Sequence, residues 1–192
     1  LKESCKYLSY YWIQLGILYR TSEQFEEAEN AFEYAKNAHG CENYQIAHTT
    51  AKNYMEWGLW SITNAPSQAT HLFEQGTTKI LEVLWTWTYP DAICFSAHSY
   101  IDMNIKYYSK LHMVPSRDTW LAMNACLDKY INNANRVDRL LGDLFSNMCQ
   151  FAEKNNLEIE HKQDIRICLD QKAYDSTYTA AEWSIDELPF YE

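Results

Sequence analysis

Cys94, His98 and Asp102 follow one another at intervals of four residues in a stretch that is predicted to be helical. In a helix this spacing places a thiol, an imidazole and a carboxylate on one face, and these groups bind zinc or act in nucleophilic catalysis. The two ends of the row are about 12 Å apart along the helix axis, so a single ion cannot reach both. We therefore expect a buried cysteine and a hydrogen-bonded histidine here rather than a metal or catalytic site.

Other candidate groups indicate a metal or catalytic site less strongly. His39, Cys41 and His48 flank a predicted loop and include ligand types of a metal site, whereas His71 and Glu74 are typical of a solvated pair. The chain has no GxxxxGKS/T or GxGxxG pattern for phosphate, and no HExxH or GxSxG pattern. We predict no catalytic residue, no metal ligand and no cofactor. A small helical enzyme built around Cys94 is the least favoured alternative.

The composition favours one helical, cytoplasmic domain. Of 192 residues, 47% are hydrophobic, and only five are glycine and four proline, fewer than most all-β folds use. The net charge of −10 opposes nucleic acid or an anionic membrane as a partner, since both need clustered lysine and arginine. No apolar window of about 20 residues is present. The six cysteines are widely spaced; disulfides are possible, but a chain of this length folds without them, and we favour thiols in a reducing cytosol.

Apolar residues recur at a helical period between short breaks, which predicts an all-α fold of about seven to nine helices and no sheet. The face of the first helix is predicted to be Leu8, Trp12, Leu15 and Tyr19. Thr21 is predicted to cap the second helix, which ends near His39. The first helix is predicted over residues 7–19. The helices after the second are predicted over 45–63, 67–86, 91–111, 118–132, 136–155 and 158–172.

Two stretches share a pattern of small and aromatic residues. The first reads Trp12-x-x-Leu15-Gly16-x-x-Tyr19 and then Ala28-x-x-x-Phe32-x-x-Ala35. This resembles the tetratricopeptide repeat (TPR), a helical hairpin of about 34 residues, although Gly40 stands where the closing proline is expected. A weaker copy reads Tyr54-x-x-Trp57-Gly58-x-x-Ser61 and then Ala69-x-x-x-Phe73-x-x-Gly76, and Leu141-Gly142-x-x-Phe145 is a faint third. The resemblance covers residues 9–80 and is architectural beyond residue 90.

The resemblance implies antiparallel hairpins that stack as a superhelical array with a concave binding groove. One subfamily uses lysine and asparagine in this groove to bind a terminal carboxylate, but this chain has Ile13 and Ile17 at those positions of the first repeat. An apolar groove instead suits an amphipathic helix, a hydrophobic loop or a neighbouring domain of the same chain. The residues that the resemblance places in the groove are Tyr10, Ile13, Ile17, Arg20, Lys52, Met55, Leu59 and Ile62.

We expect residues 1–172 to form the repeat domain and the acidic, aromatic residues 173–192 to cap it or to dock elsewhere as a peptide. Because the chain begins with Leu1, we expect it to be part of a larger cytosolic protein. The expected function is protein–protein interaction, as a sensor, scaffold or regulatory part; by analogy the parent is a defence or signalling NTPase or an NAD-hydrolysing protein. The expected partner is a protein or peptide, with no nucleic acid and no membrane. The main alternative is a structural spacer packed against other domains of its own chain.

Overall fold

The structure is a computed structural model and describes residues 2–39, 43–134, 139–160, 162, 163, 165 and 166, without the side chains of 2–7, 39 and 139. The described ranges are helical and contain no strand, which confirms the predicted all-α class. Predicted residues beyond 166, including the capping segment 173–192, lie outside the described residues, and the domain bounds stay predictions. Seven helices have bounds within the described residues: α1 Lys2–Thr21, α2 Phe25–His39, α3 Tyr44–Asn64, α4 Pro66–Thr86, α5 Pro90–Leu111, α6 Arg117–Asn133 and α7 Arg139–Asn155.

Two helices begin at a residue whose side chain accepts a hydrogen bond from a backbone N–H of the first turn, and two begin at a proline, which has no backbone N–H. Asn43 caps α3 by accepting a hydrogen bond from the backbone N–H of Gln45 at 2.8 Å, and Ser116 caps α6 by accepting one from Thr119 at 3.2 Å. Pro66 and Pro90 begin α4 and α5, where a missing N–H costs nothing. These starts lie within one residue of those predicted.

The prediction that Thr21 caps α2 is wrong. Thr21 is the last residue of α1, and its hydroxyl donates to the carbonyl of Leu18 at 2.9 Å. The chain then turns through Glu23, whose positive φ of 61° is the left-handed conformation that ends many helices. The turn is therefore made by the end of α1 and not by a cap on α2.

The chain divides into two compact units, Leu1–Thr88 with helices α1 to α4 and Tyr89–Glu192 with α5 to α7. In the first unit, α1 pairs with α2, α3 pairs with α4, and α3 also packs against α2 and α1. In the second unit, α5 packs against both α6 and α7. The second unit has its own core of fully buried side chains, which are Ile101, Met123, Leu127, Leu141, Leu144 and Met148.

Each hairpin of the first unit closes at a glycine that faces an aromatic residue. A Cβ at Gly16 would lie 2.5 Å from the ring of Phe32, and a Cβ at Gly58 would lie 2.6 Å from the backbone nitrogen of Phe73. These are the glycine and phenylalanine positions of the two sequence copies. The pattern therefore marks the closest approach in both hairpins, because only a residue without a side chain leaves room there.

The buried face of α1 is rotated from the predicted one. Leu8 is 50% exposed and Trp12 and Tyr19 are only partly buried, whereas Ile13 and Ile17 are core residues. They pack in a cluster with Phe32 and Ile46, so α1 buries the face that turns toward α2 and α3 together. A helix that packs against two neighbouring helices buries the side chains that face the space between those two helices.

We predict that Gly58→Ala destabilises the chain. Alanine favours a helix by about 1 kcal/mol over glycine, but the new Cβ meets backbone atoms of Phe73 that cannot rotate away. Overpacking of this kind costs more than the propensity gain, and we expect a net loss of about 1–3 kcal/mol in the free energy of unfolding, measured in urea. The exposed Asn30→Ala on α2 is the matched control and should be neutral or slightly stabilising. A Gly58→Ala variant as stable as this control would contradict the close approach.

Candidate functional site

A surface groove crosses the first unit between α2 and α4, with α3 as its floor. Its cavity has a volume of about 300 Å³. The carboxyl-terminal halves of α2 and α4 line it together with the amino-terminal end of α3, so both walls run antiparallel to the floor. We call this the α2–α4 groove; its lining residues are Glu33, Lys36, Asn43, Ile46, Ala47, Thr50, Lys79, Glu82, Val83, Thr86 and Trp87.

The groove is open because the floor changes from small to large side chains along one face of α3. Ala47, Thr50, Tyr54 and Trp57 are spaced by three or four residues and share that face. Ala47 and Thr50 line the cavity, whereas Tyr54 is buried and does not line it. Two small residues followed by two aromatic residues thus leave space at one end of the floor and fill it at the other.

Tyr54 is held from both walls. Its hydroxyl donates a hydrogen bond to a carboxylate oxygen of Glu29 on α2. The ammonium group of Lys79 on α4 lies 5.7 Å from the centre of its ring, within the range of a cation–π interaction. The three side chains join the two walls to the floor.

Negative charge accumulates on the α2 wall. Burial raises the pKa of Glu29 above its usual value, and the neighbouring carboxylate of Glu33 raises it further. Lys79 acts in the opposite direction and Glu26 adds to the rise. The protonated form of Glu29 is therefore favoured more than in an isolated glutamate, mainly because burial disfavours the charged carboxylate.

A row of aromatic rings packs α2 against α3. Trp57 stacks on Phe25 with ring centres 6.0 Å apart and on Tyr54 at 6.3 Å, and Trp60 lies 5.8 Å from Phe25. The indole N–H of Trp60 donates to Glu23 at 2.9 Å. These contacts hold the start of α2 against the second half of α3.

The eight residues that the repeat resemblance placed in a concave groove do not form one open surface. Four are buried inside the first unit, with exposed fractions of 5% for Ile13, 9% for Ile17, 2% for Arg20 and 0% for Met55. In this structure these four side chains are buried, and their assignment to a binding groove stays a prediction. Tyr10 is exposed and Lys52, Leu59 and Ile62 are partly buried, and a binding role for these four stays a prediction.

Packing explains the burial of those four residues. Ile13 and Ile17 fill the space between α1, α2 and α3. Met55 lies against Gly76 of α4, where a Cβ would come within 2.5 Å of its Cγ. Arg20 crosses from α1 to α3, where its Nε lies 3.2 Å from Glu56 and its Nη1 donates to the carbonyl of Thr49 at 3.4 Å. Ile13, Ile17 and Arg20 thus pack between the two hairpins, and Met55 packs within the second one.

The members of the Cys94 row have contacts with other side chains and with the backbone. The thiol of Cys94 lies 3.9 Å from the carbonyl oxygen of Tyr130, and the ring of His98 packs edge-on at 6.5 Å from that of Tyr130. Asp102 accepts a hydrogen bond from Lys106 at 2.6 Å. Each member has a separate structural contact, and within the described ranges no three histidine, cysteine, aspartate or glutamate residues are placed to hold a metal ion.

Of the remaining candidate groups, His71 and Glu74 are exposed on α4 and His48 is buried in α3, and these three do not line the groove. His39 and Cys41 lie outside the described side chains. Burial raises the pKa of the Cys126 thiol to about 12, so it stays protonated at neutral pH and is a poor nucleophile.

The charged walls of the groove were missed by sequence reasoning. The repeat resemblance points to the first helix of each hairpin, whereas Glu33, Lys36, Lys79 and Glu82 belong to the second helices. A signal was nevertheless present in α3, where Ala47 and Thr50 precede Tyr54 and Trp57 on one face.

Comparisons of this chain with known proteins found no relative. The chain matches no protein-family model, no curated protein and no solved structure. Among the helices that the structure describes, none is both long enough and apolar enough to span a membrane.

We predict that Glu56→Ala strongly destabilises the first unit, because it leaves the buried guanidinium of Arg20 without its carboxylate. Breaking a buried ion pair is costly, and since Glu56 is partly exposed we expect a loss of about 2–3 kcal/mol in the free energy of unfolding. The exposed Glu74→Ala is the control and should change it by less than about 0.5 kcal/mol. Adding Arg20→Met to Glu56→Ala should recover part of the loss. Equal stability of the two single variants would contradict a structural role for the pair.

We predict a pH-dependent effect of Glu29→Gln. A raised pKa means that the native state binds the proton more tightly than the unfolded state, so Glu29 lowers stability progressively as the pH rises above about 4.5. Glutamine still accepts the hydrogen bond from Tyr54 but carries no charge. The variant should therefore be more stable than the wild type at pH 7 and should lose this advantage near pH 4, as measured by urea unfolding at both values. Glu27→Gln, exposed on the same helix, should show no such change, and a pH-independent advantage of Glu29→Gln would refute the assignment.

Proposed function

We propose that this chain is a TPR-like protein-interaction module that binds a peptide segment of a partner protein in the α2–α4 groove. The observation that carries the proposal is the cavity of about 300 Å³, lined by three helices of one unit. A cavity of this size accommodates one or two side chains, which suits a docked peptide better than a large cofactor.

The lining of the groove combines the two features that peptide recognition needs. Ile46, Ala47 and Val83 offer an apolar base, and charged side chains from both walls surround it. Apolar contacts supply affinity when a side chain is buried, and charges at the rim set orientation and discriminate between partners. Helical-repeat proteins commonly present such surfaces between neighbouring hairpins.

The rigidity of the surrounding unit also supports a binding role. Tyr54 on α3 contacts Glu29 on α2 and Lys79 on α4, and the hairpins are joined by the pair of Arg20 and Glu56. A preformed site loses little conformational entropy when a ligand binds. In a spacer, by contrast, nothing selects for an open cavity between well-packed helices.

We place the protein in the cytosol, as a sensor, scaffold or regulatory part of a longer chain. Cys94, Cys126 and Cys149 are present as thiols, which is typical of a reducing compartment. Their burial and contacts suit packing, and this favours an interaction module over an enzyme.

The proposal is tested by selecting binders from a random peptide display library on the immobilised chain. Each selected peptide is measured against Ala47→Trp, which fills the cavity, and against Gln68→Trp, which adds the same side chain at an exposed site on α4. We expect the peptides to bind the wild type and Gln68→Trp equally and to lose at least about tenfold in affinity with Ala47→Trp.

Circular dichroism and unfolding curves of both tryptophan variants show whether the fold is retained. Thr50→Phe obstructs the same cavity and replaces Ala47→Trp if that variant is unstable. Peptides that bind the filled variants as well as the wild type would move the binding surface elsewhere. A library that yields no binder would favour the structural spacer.

A further inference from the structure

Helix α1 carries apolar side chains on two faces, and only one of these faces is buried. Ile13 packs inside the first unit, whereas Leu8, Tyr11 and Leu18 each expose half or more of their surface. Leu15 lies on the same face as these three residues and is partly exposed. We call Leu8, Tyr11, Leu15 and Leu18 the α1 stripe. A helix that is apolar on all sides is normally covered on all sides, and the described part of the chain leaves this stripe exposed.

The second hairpin shows that this face of a helix serves as a docking face. The repeat pattern aligns Leu15 of α1 with Trp57 of α3. Three residues further along, it aligns Leu18 with Trp60. Both tryptophan rings pack on Phe25 of the neighbouring helix α2. The α1 stripe therefore occupies the positions at which α3 packs against another helix.

The exposed patch is large enough for a stable interface. Tyr34 of α2 extends the stripe, because its ring lies 4.8 Å from that of Trp12, which in turn contacts Tyr11. When a fully exposed tyrosine or leucine presents on the order of 200 Å², the three most exposed stripe residues and Tyr34 together present about 450 Å². With the partly exposed side chains around them, two copies would bury about 1,000 Å², which is the size at which specific interfaces begin. Apolar patches of several hundred Å² are typical of protein contact sites.

The α1 stripe is complementary to itself. Its spacing of three, four and three residues is the same in both directions, and it resembles the apolar seam of a coiled coil. In an antiparallel pair of α1 helices, Leu8 of one copy meets Leu18 of the other, and Tyr11 meets Leu15. Residues 7–19 contain no charged side chain. In a chain with a net charge of −10, two copies can therefore meet along this segment without repulsion between its own side chains.

We propose that a second copy of this chain covers the α1 stripe, so that the protein forms a two-fold symmetric dimer through antiparallel α1 helices. A two-fold interface uses the same patch on both copies, which is what a self-complementary stripe provides. The inference goes beyond the proposed function and does not depend on it, because no residue of the α1 stripe lines the α2–α4 groove.

The test is analytical ultracentrifugation of the purified chain over a concentration range of about 1–200 µM. We expect the mass to rise with concentration from 22.6 kDa to twice that value. Leu8→Lys and Leu18→Glu each place a charge against a leucine of the other copy, and each should weaken the dimer at least about tenfold. Leu121→Glu changes an exposed leucine on α6 and should leave the dimer unchanged. Tyr11→Gln weakens the same contact without a charge and replaces a charged variant that loses its helicity by circular dichroism.

The combination of Leu8→Lys with Leu18→Glu in one chain tests the antiparallel pairing. Each lysine then faces a glutamate of the other copy, and this occurs twice in the dimer. The combined variant should therefore dimerise at least about fivefold more tightly than either single variant. The inference is overturned if the wild type stays monomeric over the whole range, if both single variants dimerise as well as the wild type, or if the combined variant is no tighter than the single ones.

Discussion

The distance between α3 and α4 is set where Gly58 faces Phe73 and where Gly76 faces Met55. At both points the backbone of one helix touches the other, so neither helix can rotate or slide without a clash. This fixes which residues of α3 face its own hairpin partner and which are left for α2. The opposite face, with Ala47, Thr50 and Tyr54, becomes the floor of the groove as a direct result.

The same constraint determines how the walls are composed. Because α2 and α4 both run antiparallel to α3, their carboxyl ends come together at the start of α3. Glu33 and Glu82, which are far apart in sequence, therefore line the same cavity from two helices, together with Lys36 and Lys79.

Much of the fold was predictable from local signals. The helix limits followed from prolines and from apolar periodicity, and the small residues of the repeat pattern marked the closest approach in each hairpin. The role of Thr21 was predicted wrongly because a threonine between two helical patterns can either end the first helix or cap the second. The left-handed turn at Glu23 distinguishes these two cases. The site was harder to predict, since Ile13 and Met55 have the same apolar character whether they line a groove or fill the space between helices. Which face of a helix is buried depends on how many other helices pack against it, and the apolar pattern of one helix does not give that number.

The pair of Arg20 and Glu56 has a consequence for how such modules can be rearranged. In many repeat proteins the joints between hairpins are nearly identical, so one hairpin can be duplicated, deleted or exchanged with modest loss. Here the joint between the first and second hairpins contains the buried guanidinium of Arg20, which pairs with Glu56 of the next hairpin. A second copy of the first hairpin, placed before any hairpin without that glutamate, would bury the guanidinium without this carboxylate. The two hairpins are therefore a matched pair, and recombination can move them together but not separately.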